Sequence, residues 1–300
     1  MLYMSETMLR EADNKVFVEG IVSEVNFEIK QIDGKEAITG DIVIQLNDDS
    51  ICTVDVFSYK LKKDGNENTV FKGLSTIMNE YKSIAKFGKE EADQVRISGA
   101  KLVVNDYYNP SGELKSIVKV QTNFVNRMKQ GEEFNPKAEF EVEVFIHKIN
   151  DQVDKNNELT GNKVISGLVP VYDGKIVPMD FIVSDFELVK AIESLYEAGQ
   201  TVRLYGDVNI SVTTTKTIVP VAIGKPKEVI NTLTTRELII TGGSEPYAED
   251  DANAFNVETV KNAMAVRTEM LEELKNKKDA PKNSGGKASS VPNSGKKLPF

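Results

Sequence analysis

Residues able to do chemistry on their own are scarce in this sequence. It holds one cysteine, Cys52, one histidine, His147, and no tryptophan. A single imidazole without a second histidine beside it leaves no histidine-based metal site. It also leaves no Ser-His or Cys-His pair, since such a nucleophile needs its base within hydrogen-bond reach. The acidic run Glu245 to Asp251, followed by Asn253, lacks the central glycine of a calcium loop, and the twelfth position from Asp250 is Lys261 rather than a bidentate carboxylate. Gly242-Gly243-Ser244 lacks the lysine and spacing of a phosphate loop. Asp41, Asp48, Asp49 and Asp55 are the nearest thing to a metal-carboxylate nuclease set, but alternating strands and turns scatter such residues routinely. The sequence therefore reads as non-enzymatic, with no metal and no cofactor.

What remains is rings beside cations. If Cys52, Val54 and Val56 face a core, strand alternation turns Thr53, Asp55, Phe57 and Tyr59 outward, next to Lys60, Lys62 and Lys63. Exposed aromatics joined to a basic loop suit unstacked bases and their phosphates, and a stacked base is worth ~1–3 kcal/mol. Lys115, Ile117 and Lys119 alternate on one face of a later strand, and Tyr107 and Tyr108 mark the tip of the hairpin before it. In the second half only Arg203 and Tyr205, on the outward parity of its fourth strand, suggest a similar binding face. The bland alternatives are rings packed under a neighbouring loop and lysines that merely keep a strand edge soluble.

Charge patterning agrees with the placement of this face. Over 300 residues, 46 acids against 37 bases give a net charge of −9, which argues against coating duplex nucleic acid by bulk attraction. The sign varies along the chain. Residues 1–59 hold 12 acids and 4 bases, 60–129 hold 8 and 13, and 131–210 hold 15 and 7. Residues 241–274 are acidic again, and 275–300 carry 7 bases to 1 acid.

The elements that must hold these residues are mostly strands. Lys15 to Phe27, Ile38 to Leu46 and Ile51 to Tyr59 alternate as strands, and Lys60 to Thr69 is a polar loop. Leu74, Ile77, Met78, Tyr81, Ile84 and Ala85 recur at helical spacing before Gly88, and Val95 to Asp106 and Leu114 to Phe124 are two more strands. The order repeats: strand Ala138 to Lys148, hairpin Val164 to Val171 and Ile176 to Val183, helix Phe186 to Ala198, then strands Thr201 to Val212 and Thr217 to Ile223. Ile38-Thr39-Gly40 aligns with Ile165-Ser166-Gly167, Asp55-Val56 with Asp180-Phe181, and Val95 to Gly99 with Val202 to Gly206, which points to an internal duplication.

Three strands, a helix and two strands is the order of the five-stranded OB barrel, which binds ligand across its second and third strands. Gly20, Gly40, Gly99 and Gly206 fall inside strands, where closing a small barrel requires bends. The expected fold is mainly β: two tandem OB-like barrels, each with one helix, then a C-terminal helix and a disordered tail. The divisions are an N-terminal arm at 1–14, barrel 1 at 15–130, barrel 2 at 138–225, an acidic linker at 226–255, a helix at 256–278 and a basic tail at 279–300. Ile182 takes the place of Phe57 in the second barrel, which is expected to support, dimerise or extend the first. In the C-terminal helix, Val257, Val260, Met264, Leu271 and Leu274 form an apolar stripe interrupted by Arg267.

Two barrels, an outward aromatic face and a tail ending Leu298-Pro299-Phe300 resemble single-stranded DNA-binding proteins of bacteria and especially of bacteriophage replication. In that family a terminal Pro-Phe preceded by acids recruits replication and repair enzymes. Here Lys296 and Lys297 precede it, and the acidic block lies ahead of the helix. The resemblance implies sequence-tolerant binding of single-stranded DNA in replication or recombination, with protein partners at the C-terminal helix or at Leu298, Pro299 and Phe300, and self-association. The alternative is a virion or assembly protein that oligomerises through its β domains and residues 256–274. No membrane segment or export signal is legible, and one unpaired cysteine fits a reducing compartment, so a cytoplasmic location is expected, the host's if phage-encoded.

Overall fold

The computed structural model describes residues 8–219, 227–248 and 250–279. Its first half contains β1 (Asn14–Ile32), β2 (Lys35–Gln45), β3 (Ile51–Tyr59), helix α1 (Thr69–Glu80), a short α2 (Ile84–Phe87), β4 (Gln94–Tyr108), β5 (Leu114–Gln121) and β6 (Asn126–Arg127). The second half contains β7 (Lys137–Val153), β8 (Leu159–Pro170), β9 (Ile176–Val183), α3 (Phe186–Leu195), β10 (Thr201–Val219) and β11 (Lys227–Gly243), followed by α4 (Val257–Asp279).

Side chains along β3 alternate strictly between buried and half-buried, the pattern of a strand with one face on a core. The pairings around it return on themselves. β1 pairs with β2, β2 with β3, β3 in parallel with β5 at Val54↔Val120, β5 with β4, and β4 again with β1. The second half repeats the circuit through β7, β8, β9, β11 and β10, closed by the parallel pair Ile239↔Ile182 and by β10 against β7. Antiparallel pairing of Asn14–Glu19 with Lys137–Val142 joins the two rings edge to edge.

Matched positions in the two halves do matched work. Ile38 and Ile165, Val95 and Val202, and Ile97 and Leu204 are all fully buried. Arg96 holds Glu19 at 2.7 Å, and Arg203 holds Glu143 at 3.3 Å; both carboxylates are only 4% exposed. Burial pushes the Glu143 carboxyl up, but hydrogen bonds from Arg10, the Asp13 backbone N–H and the Tyr247 hydroxyl outweigh it and bring the group down to about 2. Glu19 is likewise held below the usual carboxylate range, with Arg96 and the Asn135 backbone N–H opposing burial. Closure also needs bare backbone at three of the four predicted glycines, and at Gly20 a Cβ would strike the Gln45 carbonyl. A Cβ on Gly40, at φ +137°, would strike the Asn26 carbonyl, and one on Gly206 would strike the Ile239 carbonyl. At Gly99, where the register of β4 against β1 shifts, a Cβ would meet open space, so a side chain there would obstruct nothing.

Helix α1 plugs its ring with Phe71, Leu74 and Ile77, and the Asn68 side chain caps it by accepting from the Val70 N–H. The predicted helix through Tyr81 and Ile84 is broken after Glu80. Tyr81 is extended, donates its hydroxyl to the Val125 carbonyl at 3.0 Å and lies under Arg127. A larger difference lies at the end of the second ring. The threonines at 213–215, which fall between the two predicted strands, continue β10 to Val219, because β-branched residues favour extended backbone. The closing strand is therefore β11, rich in Val, Ile and Thr, and it occupies Lys227–Gly243 within the expected acidic linker. Residues 220–223 of the predicted closing strand lie outside the described residues.

The termini fasten the halves together. Leu9 and Ala12 of the arm are buried, and Arg10 binds Glu143 at 2.7 Å and lies over the Phe255 ring. Helix α4 buries Val260 and Ala263, and its Arg267 makes two bonds to Asp106 on β4, of 2.9 and 2.7 Å, and one to the Ile176 carbonyl on β9. The arginine that interrupts the apolar stripe is thus the residue that ties the helix to both rings.

Candidate nucleic-acid interface

The outward side of β3 supplies the site. Register places Tyr59 opposite Ala37 and Lys30, Phe57 opposite Thr39 and Glu28, and Asp55 opposite Asp41 and Asn26. Ala37, opposite Tyr59 on the outward face, is fully buried, so side chains of this face lie over it. Phe57 and Tyr59 are half-buried and meet edge to face, with centroids 5.0 Å apart and planes at 84°. The Lys35 ammonium lies 5.7 Å from the Tyr59 ring centroid. Cations thus gather at the Tyr59 end of the face and carboxylates at the Asp55 end.

The loop after β3 is well anchored. Lys60 N–H donates to Glu36, Lys62 N–H to Asn66, and Asn68 N–H to Lys60, while the Asn68 side chain donates to the Tyr59 carbonyl. Lys60 also pairs with the Glu36 carboxylate at 2.9 Å. Lys62 and Lys63 project into solvent, and among the described residues no ion pair engages either. Exposed pairs such as Lys60–Glu36 contribute little to stability and exchange readily for another anion.

The other expected residues are distributed more widely. Lys119 pairs with Asp55, and so lies beside the aromatic face. Lys115 pairs with Glu113 at 3.2 Å near the tip of the β4–β5 hairpin, where Tyr107 is exposed and pairs in register with Lys115. Tyr108 donates its hydroxyl to the Leu271 carbonyl of α4 at 3.3 Å. Arg203 is committed to Asp13, Glu141 and Glu143; hydrogen bonds with Tyr247 and Glu141 and the Glu143 charge raise its pKa further, and it so occupies the same framework role as Arg96. Tyr205 is exposed on the second ring, apart from β3. Leu298, Pro299 and Phe300 lie outside the described residues. Cys52 is buried and its thiol pushed up to about 12 by burial, leaving no nucleophile there. Sequence reasoning did not reach Lys30 and Lys35, because only the register of β1 and β2 against β3 brings them to the rings.

Below the aromatic pair, the face descends into a cleft of about 540 Å³ between the two rings. Asp41, Thr53, Asp55 and Lys119 line it from the first ring, and Asp180, Arg236 and Glu237 from the second. Among the described residues no group of histidines, cysteines and carboxylates could hold a metal ion. None of the described helices is long and apolar enough to cross a membrane.

Duplicated five-stranded rings, one bearing an outward aromatic ladder beside lysines, define a mainly β protein with one face built differently from its twin. The YorF family model matches residues 12–277, and the chain belongs to that family. No curated protein matches the chain significantly. Among solved structures it is similar to the wild-type single-stranded DNA-binding protein of Thermus aquaticus, at 10% identity and a TM-score of 0.46, covering 81% of this chain and 97% of that one. A deletion mutant of the same Thermus aquaticus protein matches at 9% identity and 0.46, covering 81% of this chain and 98% of that one.

Proposed function

We propose that this protein binds single-stranded DNA without strong sequence preference and protects unwound strands during replication or recombination, acting without catalysis. The observation that carries this reading is the Phe57–Tyr59 pair, outward on β3 and beside an anchored loop whose Lys62 and Lys63 face solvent. Bases stack on the rings whatever their identity, because each has a π-face, while lysines meet the phosphates. Lys60, Lys115 and Lys119 join by exchanging Glu36, Glu113 and Asp55 for phosphate. The net charge of −9 disfavours duplex, which offers phosphates but no free base faces.

Titrating labelled oligothymidylate and a matched duplex with the full chain at two salt concentrations tests the reading. Tight, salt-weakened binding of the single strand over the duplex is expected. Absent binding, or affinity indifferent to salt, removes it.

A further inference from the structure

The cleft beneath Asp55 belongs to both halves of the chain, and its second wall comes from an unusual place. β10 pairs with β7 only from Thr201 to Asp207, and β11 meets β9 at Ile239. From Val208↔Leu238 onward the two strands pair with each other alone, as a ribbon running to Val219↔Lys227. The root of this ribbon does not point into water. Val208 and Leu238 are buried, and Val208, Arg236, Glu237 and Leu238 line the cleft opposite Thr53 and Asp55 of β3.

Thr53 and Asp55 occupy the same outward side of β3 as Phe57 and Tyr59, so the aromatic face and the cleft form one track. Resting on the single-strand reading above, we infer that the ribbon root is the second wall of the binding site, and that the strand leaving the Phe57–Tyr59 rings continues into the cleft between the halves. The occupant is the same polynucleotide, on grounds of continuity and charge. The walls mix apolar surface from Leu102, Ile117, Val118 and Met179 with the carboxylates Asp41, Asp55, Asp180 and Glu237. A phosphate is repelled from such a lining and an unpaired base is not, so the bases turn inward, as stacking on Phe57 already requires.

The backbone then lies along the rim, where Lys119 and Arg236 are the cations. Arg236 is exposed, and among the described residues no ion pair engages it. Its place opposite Ile210 on the ribbon holds it at the cleft mouth without any structural duty visible there. The second half thereby contributes directly to binding, rather than only supporting the first.

The test uses the full chain, oligothymidylate carrying 5-iododeoxyuridine, and the variant Arg236→Ala. Wild type is expected to cross-link both within 51–69 and within 236–243. Removing one phosphate contact to a single strand should lower the slope of log affinity against log salt by about 0.7 and weaken binding several-fold at low salt. Wild-type binding with cross-links confined to 51–69, and Arg236→Ala matching wild type in affinity and slope, overturns the ribbon wall and leaves the proposed function standing. Failure of wild type to bind the oligonucleotide overturns both.

Discussion

On β3 of the first ring the outward positions run Thr53, Asp55, Phe57, Tyr59; with Ile38–Gly40 matched to Ile165–Gly167, register puts Pro178, Asp180 and Ile182 of β9 where Asp55, Phe57 and Tyr59 stand, so Ile182 takes the place of Tyr59 rather than the expected Phe57. After Tyr59 the chain spends residues 60–68 on a lysine-bearing loop before α1, whereas after Ser184 the Asp185 side chain caps α3 at once, accepting from the Glu187 and Leu188 N–H groups. The buried positions of the two halves match, and so do their Arg–Glu pairs. Apart from the long β10–β11 ribbon of the second half and the short α2 and β6 of the first, the difference lies at one outward edge and one loop. A duplicated frame constrains the interior of both copies through packing, while the solvent side of a strand is free to diverge, and there the first half has acquired rings and lysines.

Substitutions that erase or probe this asymmetry rank by expected effect. Replacing both rings, Phe57→Ala with Tyr59→Ala, should cost ~2–6 kcal/mol of single-strand affinity at ~1–3 per stacked base, at least about thirtyfold. Ile182→Ala in the second ring should leave affinity unchanged. Fluorescence anisotropy with labelled oligothymidylate reads both.

The framework pairs separate the halves by stability. Because the Glu143 carboxyl is depressed from 4.5 to about 2 in the fold, its contribution is complete above about pH 4.5 and disappears as pH falls through about 2. Glu143→Gln should therefore lose on the order of 2–3 kcal/mol at neutral pH, with the gap to wild type closing toward pH 2 in urea unfolding. Glu19→Gln should lose less, since fewer groups hold that carboxylate. Arg267→Ala, which cuts the tie from α4 to Asp106 and Ile176, should cost ~1–2 kcal/mol and expose α4 to proteolysis. Smallest is Lys62→Ala with Lys63→Ala: little change in stability, and a salt slope shallower by about 1.4 for two lost phosphate contacts.

Much of this frame is legible in the sequence, because period-two alternation and turn residues specify strands locally. Ile51 to Tyr59 shows its inward and outward sets without reference to any partner. The end of the second ring is not legible in the same way: the threonines at 213–215 carry strand propensity and turn polarity together, and only pairing with β11 decides between them. Arg203 and Arg96 look alike as outward cations, yet the carboxylates that claim them sit on strands far away in sequence. Lys35 and Arg236 are absent from a sequence-derived site for the same reason. Their relevance comes from register and from how one half lies against the other, which no local pattern encodes. The stripe on α4 was legible as apolar, but its docking on both rings depends on Asp106, distant in the chain.

The measurement closest to the central claim is backbone hydrogen exchange of the full chain with and without saturating oligothymidylate. Slower exchange across residues 60–68, with the matching second-half segment 184–186 unchanged, is the predicted result. A bound oligonucleotide that leaves exchange at 60–68 unaltered would contradict it.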